Sequence, residues 1–547
     1  MLLRKHQQDF QGVINGIIAG SGTTKILVHV VPGGGKSALP VIAGKLIAAD
    51  RADAICWVVP RKSLQDQGER NFVDPLFRDL LGHSLTIRSS TNETNPCRGL
   101  NGFATTYQAI GIDEKQTVSN DFSTKRYILV LDEFHHIEEG GIWHEALAPI
   151  VEQAAFLVLM TGTLERGDQK PIAWVQYVNS RPMPPDIQYG REIALEERAI
   201  LPIEFTLADG HVEWEKNGQR KSGLLSKRIL DAGQALFTAL STEFSNMLMD
   251  KALLHWQRYK ANHPSSKLLI VTADFDHAKK ITARLKKQGL YAKIATSHDS
   301  PKALRNIHEF KFGGLDVLVS IAICYEGLDV PQISHIACLT RIRSTPWIEQ
   351  MIARAVRINP QAGPYENQKA HIFAPDDYLF REVVERIRTE QLAFVVQSQE
   401  GEKREKRGNG EGQGREPDII PLGSILTGER SFSIGGVLGG IRSYDIPQTP
   451  TDMEQELRKQ IEEHVRNFSF KNYYKIEKIN AEIKTAFGKP RAEMSLPELR
   501  NTLSFIRDAY PLNGNSIVPQ VSQPRGKGLR KPAKAEEVEP PRQERQW

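Results

Sequence analysis

The residues best placed to do chemistry begin with a lysine on a glycine turn. The apolar run KILVHVV leads into Pro32-Gly33-Gly34-Gly35-Lys36-Ser37 and then into a helical pattern. A glycine-rich turn between a strand and a helix leaves backbone N–H groups facing an anion, the arrangement that cradles phosphates. Gly33, Gly34 and Gly35 would form the cradle. Lys36, expected to be exposed on its loop, would reach the β- and γ-phosphates, and the Ser37 hydroxyl would ligate Mg²⁺. Val30 stands where the usual pattern has its first glycine, so this motif alone leaves an ordinary glycine turn open. A second apolar run, YILVL, ends in Asp132-Glu133-Phe134-His135. Two carboxylates at one strand tip divide the work of phosphoryl transfer: Asp132 holds Mg²⁺ through water while Glu133 orients the attacking water. ATP and Mg²⁺ are the expected substrate and cofactor. The neighbouring pair His135-His136 lacks any further ligand pattern, so no metal beyond Mg²⁺ is expected.

The elements that must hold these groups follow from the patterning. From Lys25 to about Met160, short apolar runs alternate with helical stretches, the signature of a buried parallel sheet with crossover helices. A second series opens with KLLIVTA at Lys267 and continues to HIFA. The expected fold is therefore α/β, with two tandem parallel-sheet domains over residues 1–200 and 201–395. A segment at about 205–264, part charged hairpin and part amphipathic helix, reads as an insertion in the second. Glycine and mixed charge over SQEGEKREKRGNGEGQGREPD predict a flexible linker across 396–450. Helical periodicity returns over 451–512 as a small accessory domain, and the Pro-rich, charged stretch 513–547 reads as a disordered tail.

Composition narrows the class further. The chain has 547 residues, 40% apolar and 25% charged, enough for several hydrophobic cores and unlike a disordered or coiled-coil protein. The net charge of +5 is compatible with nucleic acid without diagnosing it. Four scattered cysteines form neither a disulfide framework nor a zinc motif. The N-terminus MLLRKHQQDF is not a signal peptide and no apolar run is long enough to span a bilayer, so a cytoplasmic protein without membrane partners is expected.

The ordered motifs over about residues 3–375 resemble superfamily 2 helicases of the DExH type. The resemblance implies two RecA-like domains and assigns further roles. Leu3-Arg4-Lys5-His6-Gln7 is similar to the adenine-reading motif, with Gln7 as the base contact. Val58-Val59-Pro60-Arg61 and Thr105-Thr106-Tyr107-Gln108 are similar to motifs that touch nucleic-acid backbone, through Pro60, Arg61 and Thr106. Thr161-Gly162-Thr163 stands where the family has Ser/Thr-Ala-Thr, which couples hydrolysis to domain movement. In the second unit Thr272, Ser297 and Ser320 are implied strand contacts, while Gly327 and Asp329 face the nucleotide. Gln350 to Arg357 resembles the arginine-finger helix, with Ala353 in place of the usual glycine. Arg354 and Arg357, three apart on a helix expected over Trp347 to Arg357, would share a face and point at the γ-phosphate.

More narrowly, the chain is similar to bacterial and phage-type stand-alone helicases related to the motor subunit of type III restriction enzymes. The implied activity is an ATP-driven helicase or translocase, with DNA ahead of RNA as the polymer and a protein partner available to the helical C-terminal domain. A nucleotide-gated binding or assembly module, without sustained unwinding, is the alternative. A nuclease built from Asp418, Glu482 and Lys484 is rejected, because Glu482 lies in a helical pattern where a strand is needed. Tyr473 and Tyr474, beside Lys471 and Lys475, leave both core packing and base stacking open.

Overall fold

Strands form where branched and aromatic residues run nearly unbroken, because both faces of a parallel sheet are covered. The computed structural model describes residues 3–512 except 91, 114–115, 167, 169, 180, 228–230, 296–300, 322–327, 329, 393–418 and 435–447. The chain divides into two compact units, Met1–Met453 and Glu454–Trp547.

In the first unit, strands β1 (Lys25–Val30), β2 (Ala54–Val59), β3 (Arg88–Ser89), β4 (Gly102–Thr106), β5 (Tyr127–Asp132) and β6 (Phe156–Thr161) come first. Among the described residues the two-residue strands β7 (Tyr177–Val178) and β8 (Arg181–Pro182) pair only with each other, and β9 (Ile187–Tyr189) follows. The first sheet is parallel and seven-stranded, ordered β3-β4-β2-β5-β6-β1-β9. β5 and β2 are buried at every position. Because β6 lies between β1 and β5, the glycine turn after β1 and the carboxylates ending β5 meet at one carboxyl edge, with Thr161 between them. That edge is where parallel α/β sheets bind ligands.

The second sheet uses β10 (Ile203–Lys216), β11 (Gln219–Leu224), β12 (Lys267–Thr272), β13 (Ala292–Ala295), β14 (Val317–Ile321), β15 (Ile333–Leu339), β16 (Ala370–Pro375) and β17 (Ile419–Ile434). Its order is β11-β10-β16-β15-β12-β14-β13, with β17 on the other flank of β10. The pairs β10–β16, β16–β15, β15–β12, β12–β14 and β14–β13 are parallel, while β11 and β17 run antiparallel to β10.

Two expectations change here. The segment at 205–264 is not a separate insertion: Ile203 to Ala208 pair in register with Ala370 to Pro375, so β10 belongs to the sheet before it leaves as a hairpin with β11. The span 396–450 is not linker throughout, since residues 419–434 form β17 and bond along the length of β10. Glycine and charge upstream hid a strand whose backbone pairing supplies what its composition does not.

The described part of the second unit packs the helical residues after Met453, together with helices Ile476–Phe487 and Leu496–Ala509, around Ile461, Val465, Ile479, Ile483, Leu499 and Ile506. Ser495 and Glu498 form a capping box at the start of the last helix, and Gly488 closes the one before in the left-handed region. Residues 513–547 lie outside the described residues. No helix among the described residues is long and apolar enough to cross a membrane.

Candidate nucleotide site

The glycine turn is shaped by its neighbours. Gly33 and Gly35 have φ of 88° and 91°, values that a side chain would strain. A Cβ on Gly34 would lie 2.8 Å from both Val30 Cγ1 and the Val31 carbonyl oxygen. Val30, the residue departing from the usual pattern, thus lies under the turn. From the N-terminal helix, Lys5–Ile18, two side chains grip the same loop: Arg4 Nη1, at its cap, donates to the Gly34 carbonyl at 2.5 Å, and Gln7 Nε2 donates to the Gly35 carbonyl at 3.1 Å. Gln7 Oε1 accepts from the Arg4 N–H at 3.0 Å. Both ends of the Gln7 amide are therefore engaged with protein, and Gln7 is not among the cavity-lining residues. In this arrangement Gln7 is a buried brace of the loop.

Lys36 is not the exposed loop residue expected from sequence. Its Nζ pairs with Glu133 Oε1 and stands 3.2 Å from Asp132 Oδ1, with 17% of the side chain exposed. Burial pushes the ammonium toward neutrality, but the two carboxylates outweigh it and raise its pKa. Burial likewise pushes Glu133 upward, and Lys36 together with His135 reverses this, holding it well below the carboxylate range. Asp132 Oδ1 is buried and ion-paired without a hydrogen bond, so it keeps a lone pair for a cation. Glu133 has φ of 51°, a left-handed conformation costing roughly 1–2 kcal/mol that turns its carboxylate back over the sheet edge. There Oε2 accepts from the Gly162 N–H at 3.2 Å.

The motif between the two tips joins this network. His135 Nδ1 lies 2.8 Å from Thr161 Oγ1, which donates to the Thr163 carbonyl at 2.7 Å. On its other side His135 Nε2 is 3.5 Å from Gln350 Nε2, a residue of the second sheet's layer. A Cβ on Gly162 would sit 2.8 Å from Pro32 Cγ, so the glycine that departs from Ser/Thr-Ala-Thr makes room for the proline opening the phosphate loop.

One cavity of about 340 Å³ collects these groups. Gly33, Gly35, Lys36, Ser37, Asp132 and Glu133 line it from the first sheet, and Gln350, Ala353, Arg354 and Arg357 from the second. The arginines reach it differently than expected. Their helix is Thr345–Ile352 and stops before both, so they do not share a helical face. The chain tightens through bonds from Arg354 N to the Met351 carbonyl and from Ala355 N to the Ile352 carbonyl, and the Val356 carbonyl is then drawn to Leu201 N at 2.7 Å. Arg354 Nη1 donates to the Leu328 carbonyl at 3.1 Å. Burial lowers Arg357 to about 10, still charged at neutral pH. Four cations, Arg4, Lys36, Arg354 and Arg357, face two carboxylates, so the cavity favours an anion.

The strand-contact residues divide. Pro60 lines the nucleotide cavity rather than an outer face, and Leu64 and Gln67 do so with it. Arg61 is half-buried at the start of the helix Lys62–Val73. The Thr106 hydroxyl accepts from Ala109 N at 3.1 Å, capping the next helix. Thr272 and Ser320 are fully buried and their hydroxyls bond to backbone carbonyls. A strand end found by motif does not say which way its hydroxyl turns. Ser297, Gly327 and Asp329 lie outside the described residues. In the second unit the Tyr474 hydroxyl donates to Glu482 at 3.1 Å, while Tyr473 is 97% exposed. Arg4 and Gln350 went unassigned in the sequence; only their place inside recognisable motifs pointed to them.

Residues 1–166 match the family described as type III restriction enzyme, res subunit, and residues 248–359 match the helicase conserved C-terminal domain. An uncharacterized protein of Mycobacterium tuberculosis is 24% identical over 354 residues, covering 62% of this chain and 57% of the relative. The UvrABC system protein B of Salmonella typhi is 23% identical over 410 residues, covering 69% and 53%. The chain thus spans little more than half the length of these curated relatives. Among solved structures, a fragment of a type I restriction HsdR subunit from Vibrio vulnificus aligns at TM-score 0.46 and 14% identity, covering 69% of this chain and 65% of that one. The Mycobacterium smegmatis helicase Lhr, bound to ssDNA and AMP-PNP, aligns at 0.44 and 14%, covering 70% and 48%.

Proposed function

We propose, for a chain that belongs to the superfamily 2 helicases related to the type III restriction motor, that it is an ATP-dependent translocase or helicase acting on DNA. The observation that carries this reading is the shared cavity, in which the phosphate loop and carboxylates of one sheet face two arginines supplied from the layer of another.

The backbone N–H groups of Gly33, Gly35 and Lys36 receive the phosphates, while that of Gly34 is held by the Val31 carbonyl, and Lys36 exchanges its carboxylate partners for phosphate oxygens. A Mg²⁺ ion, which the Ser37 hydroxyl and the open lone pair of Asp132 fit, would neutralise charge between the outer phosphates. Glu133, held ionised, orients the attacking water and accepts its proton. Arg354 and Arg357 place charge on the transferring group only when the two sheets close on it. His135 then reports the event across the cleft, since it touches Thr161 on one side and Gln350 on the other. A polymer gripped by both halves would be moved by that closing and opening.

Measuring ATP turnover with single-stranded DNA, duplex DNA, RNA or no polymer tests the proposal. Stimulation by DNA supports it, and stimulation by RNA alone reassigns the polymer. Turnover indifferent to all of them favours the nucleotide-gated binding module.

A further inference from the structure

Away from the nucleotide cavity, three histidines from distant parts of the sequence converge inside the second sheet's layer. His255 lies on the helix Glu243–Asn262, His335 on β15 and His371 on β16. One ring nitrogen from each lies within 4.8 Å of the others. We propose that His255, His335 and His371 form a binding site for a divalent transition metal of the zinc class, which fastens the helix to the centre of the sheet.

The donor chemistry fits. His335 and His371 are registered partners on adjacent strands, and Glu204 on β10 is registered with His371 on its other side, so the carboxylate and two imidazoles form a row across three strands. His335 Nε2 approaches His255 Nδ1 at 2.9 Å, and His335 Nδ1 meets the Ser334 hydroxyl at 2.7 Å. His371 Nε2 is buried without a hydrogen-bond partner, while its Nδ1 lies 3.7 Å from Glu204 Oε2. Each strand histidine therefore has one nitrogen directed to the cluster and a polar neighbour on the other. That is how outer groups fix the tautomer and orientation of a metal-bound imidazole. Burial is the leading cause holding all three below their ordinary pKa, His371 to about 3. Tyr259 stands over His335 and His371 at 5.1 and 5.2 Å between ring centres, and Phe373 over His255 at 5.4 Å, walling the cluster with rings.

The size is also right. Zinc takes imidazole nitrogen at about 2.0–2.1 Å, which sets tetrahedral nitrogens about 3.4 Å apart. Reaching that spacing moves the side chains by about 1 Å or less. The 2.9 Å contact between His255 and His335 opens slightly, and the proton it holds passes to the other nitrogen of the donor ring, so both rings stay neutral. Three protein nitrogens leave the fourth position to water. Imidazole donors suit zinc, copper, iron and nickel, and three nitrogen donors in place of carboxylate or carbonyl oxygens disfavour magnesium or calcium.

The test uses the full chain, treated with chelator and then titrated with Zn²⁺ and, separately, with Co²⁺, whose visible absorption reports four-coordinate geometry. The expected result is about one equivalent bound, not displaced by excess Mg²⁺, with a rise in the thermal midpoint. His255→Gln, on the half-buried helix position, removes one ligand and should abolish the Co²⁺ spectrum while the circular dichroism is retained. Ser334→Ala removes only the orienting hydroxyl and should weaken Zn²⁺ binding by about 10–100-fold. A folded wild-type chain that binds neither metal, or binding unaltered in both variants, overturns the site.

Discussion

Replacing Lys36 by alanine probes the ion pairs at the phosphate loop as well as catalysis. With the ammonium gone, Asp132 and Glu133 remain side by side, their side chains 6% and 16% exposed. Removing one partner of a buried ion pair costs about 3–5 kcal/mol. An independent ceiling comes from the alternative, in which the folded variant takes up a proton. Protonating a carboxyl of ordinary pKa about 4.3 at pH 7.5 costs about 4 kcal/mol, and this falls by about 1.4 kcal/mol per pH unit. The variant should therefore be about 3–4 kcal/mol less stable than wild type at pH 7.5 and only about 1 kcal/mol less at pH 5. The sign follows from proton counting: the folded variant binds a proton that the unfolded chain lacks above pH 4.3, so its stability falls as pH rises. In wild type, Glu133 is depressed, so the pair's contribution persists at pH 5 and is lost only as pH drops through the folded value. Thermal denaturation of Lys36→Ala, Glu133→Gln and the double variant at both pH values reads this directly, with the double variant recovering most of the deficit. ATP turnover should be nearly abolished in both Lys36 variants. Equal midpoints for wild type and Lys36→Ala at pH 7.5, or a deficit that does not shrink at pH 5, would refute the ion-pair reasoning.

Arg357→Ala and Arg354→Ala should each reduce polymer-stimulated turnover by about 10³–10⁵ without lowering ATP affinity for the first domain, and lysine should rescue neither; single-turnover kinetics with nucleotide-binding titrations checks this. Glu133→Gln should keep ATP bound and prolong retention on nucleic acid, seen as slower release than wild type in a filter-binding chase. A chain ending at residue 397 should aggregate or lose thermal stability, because β10 is stripped of β17, whereas one ending at residue 512 should melt like the full chain; size-exclusion profiles and melting curves separate the two.

The tips of the first sheet were legible because two independent signals coincide there, an unbroken apolar strand and a motif that only such a strand can present. The end of the arginine helix was not. Ala353 to Arg357 has good helix-forming composition, yet the chain there tightens into three-residue bonds, and the Val356 carbonyl, which Pro360 cannot serve with an N–H, pairs with Leu201 N instead. β17 was missed because its partner lies some two hundred residues away and pairing of that range leaves no local trace. Gln7, Thr272 and Ser320 mark where a motif stops informing: it fixes position along the chain, while the hydrogen-bond partners of each side chain, the Gly35, Ser320 and Ile321 carbonyls, come from the fold. The histidine cluster left no signal at all, since its members share no spacing and meet only through strand register.

The strand β10 is bonded on both flanks for most of its fourteen residues, by β16 and then β11 on one side and by β17 on the other. Its two irregularities, after Asp209 and after Glu213, bend the ribbon without releasing it. In mechanical terms this is a clamped beam. A load applied along the hairpin is met in shear, with many backbone bonds stretched at once, and is carried to β16 through the pairs from Ile203 to Ala208.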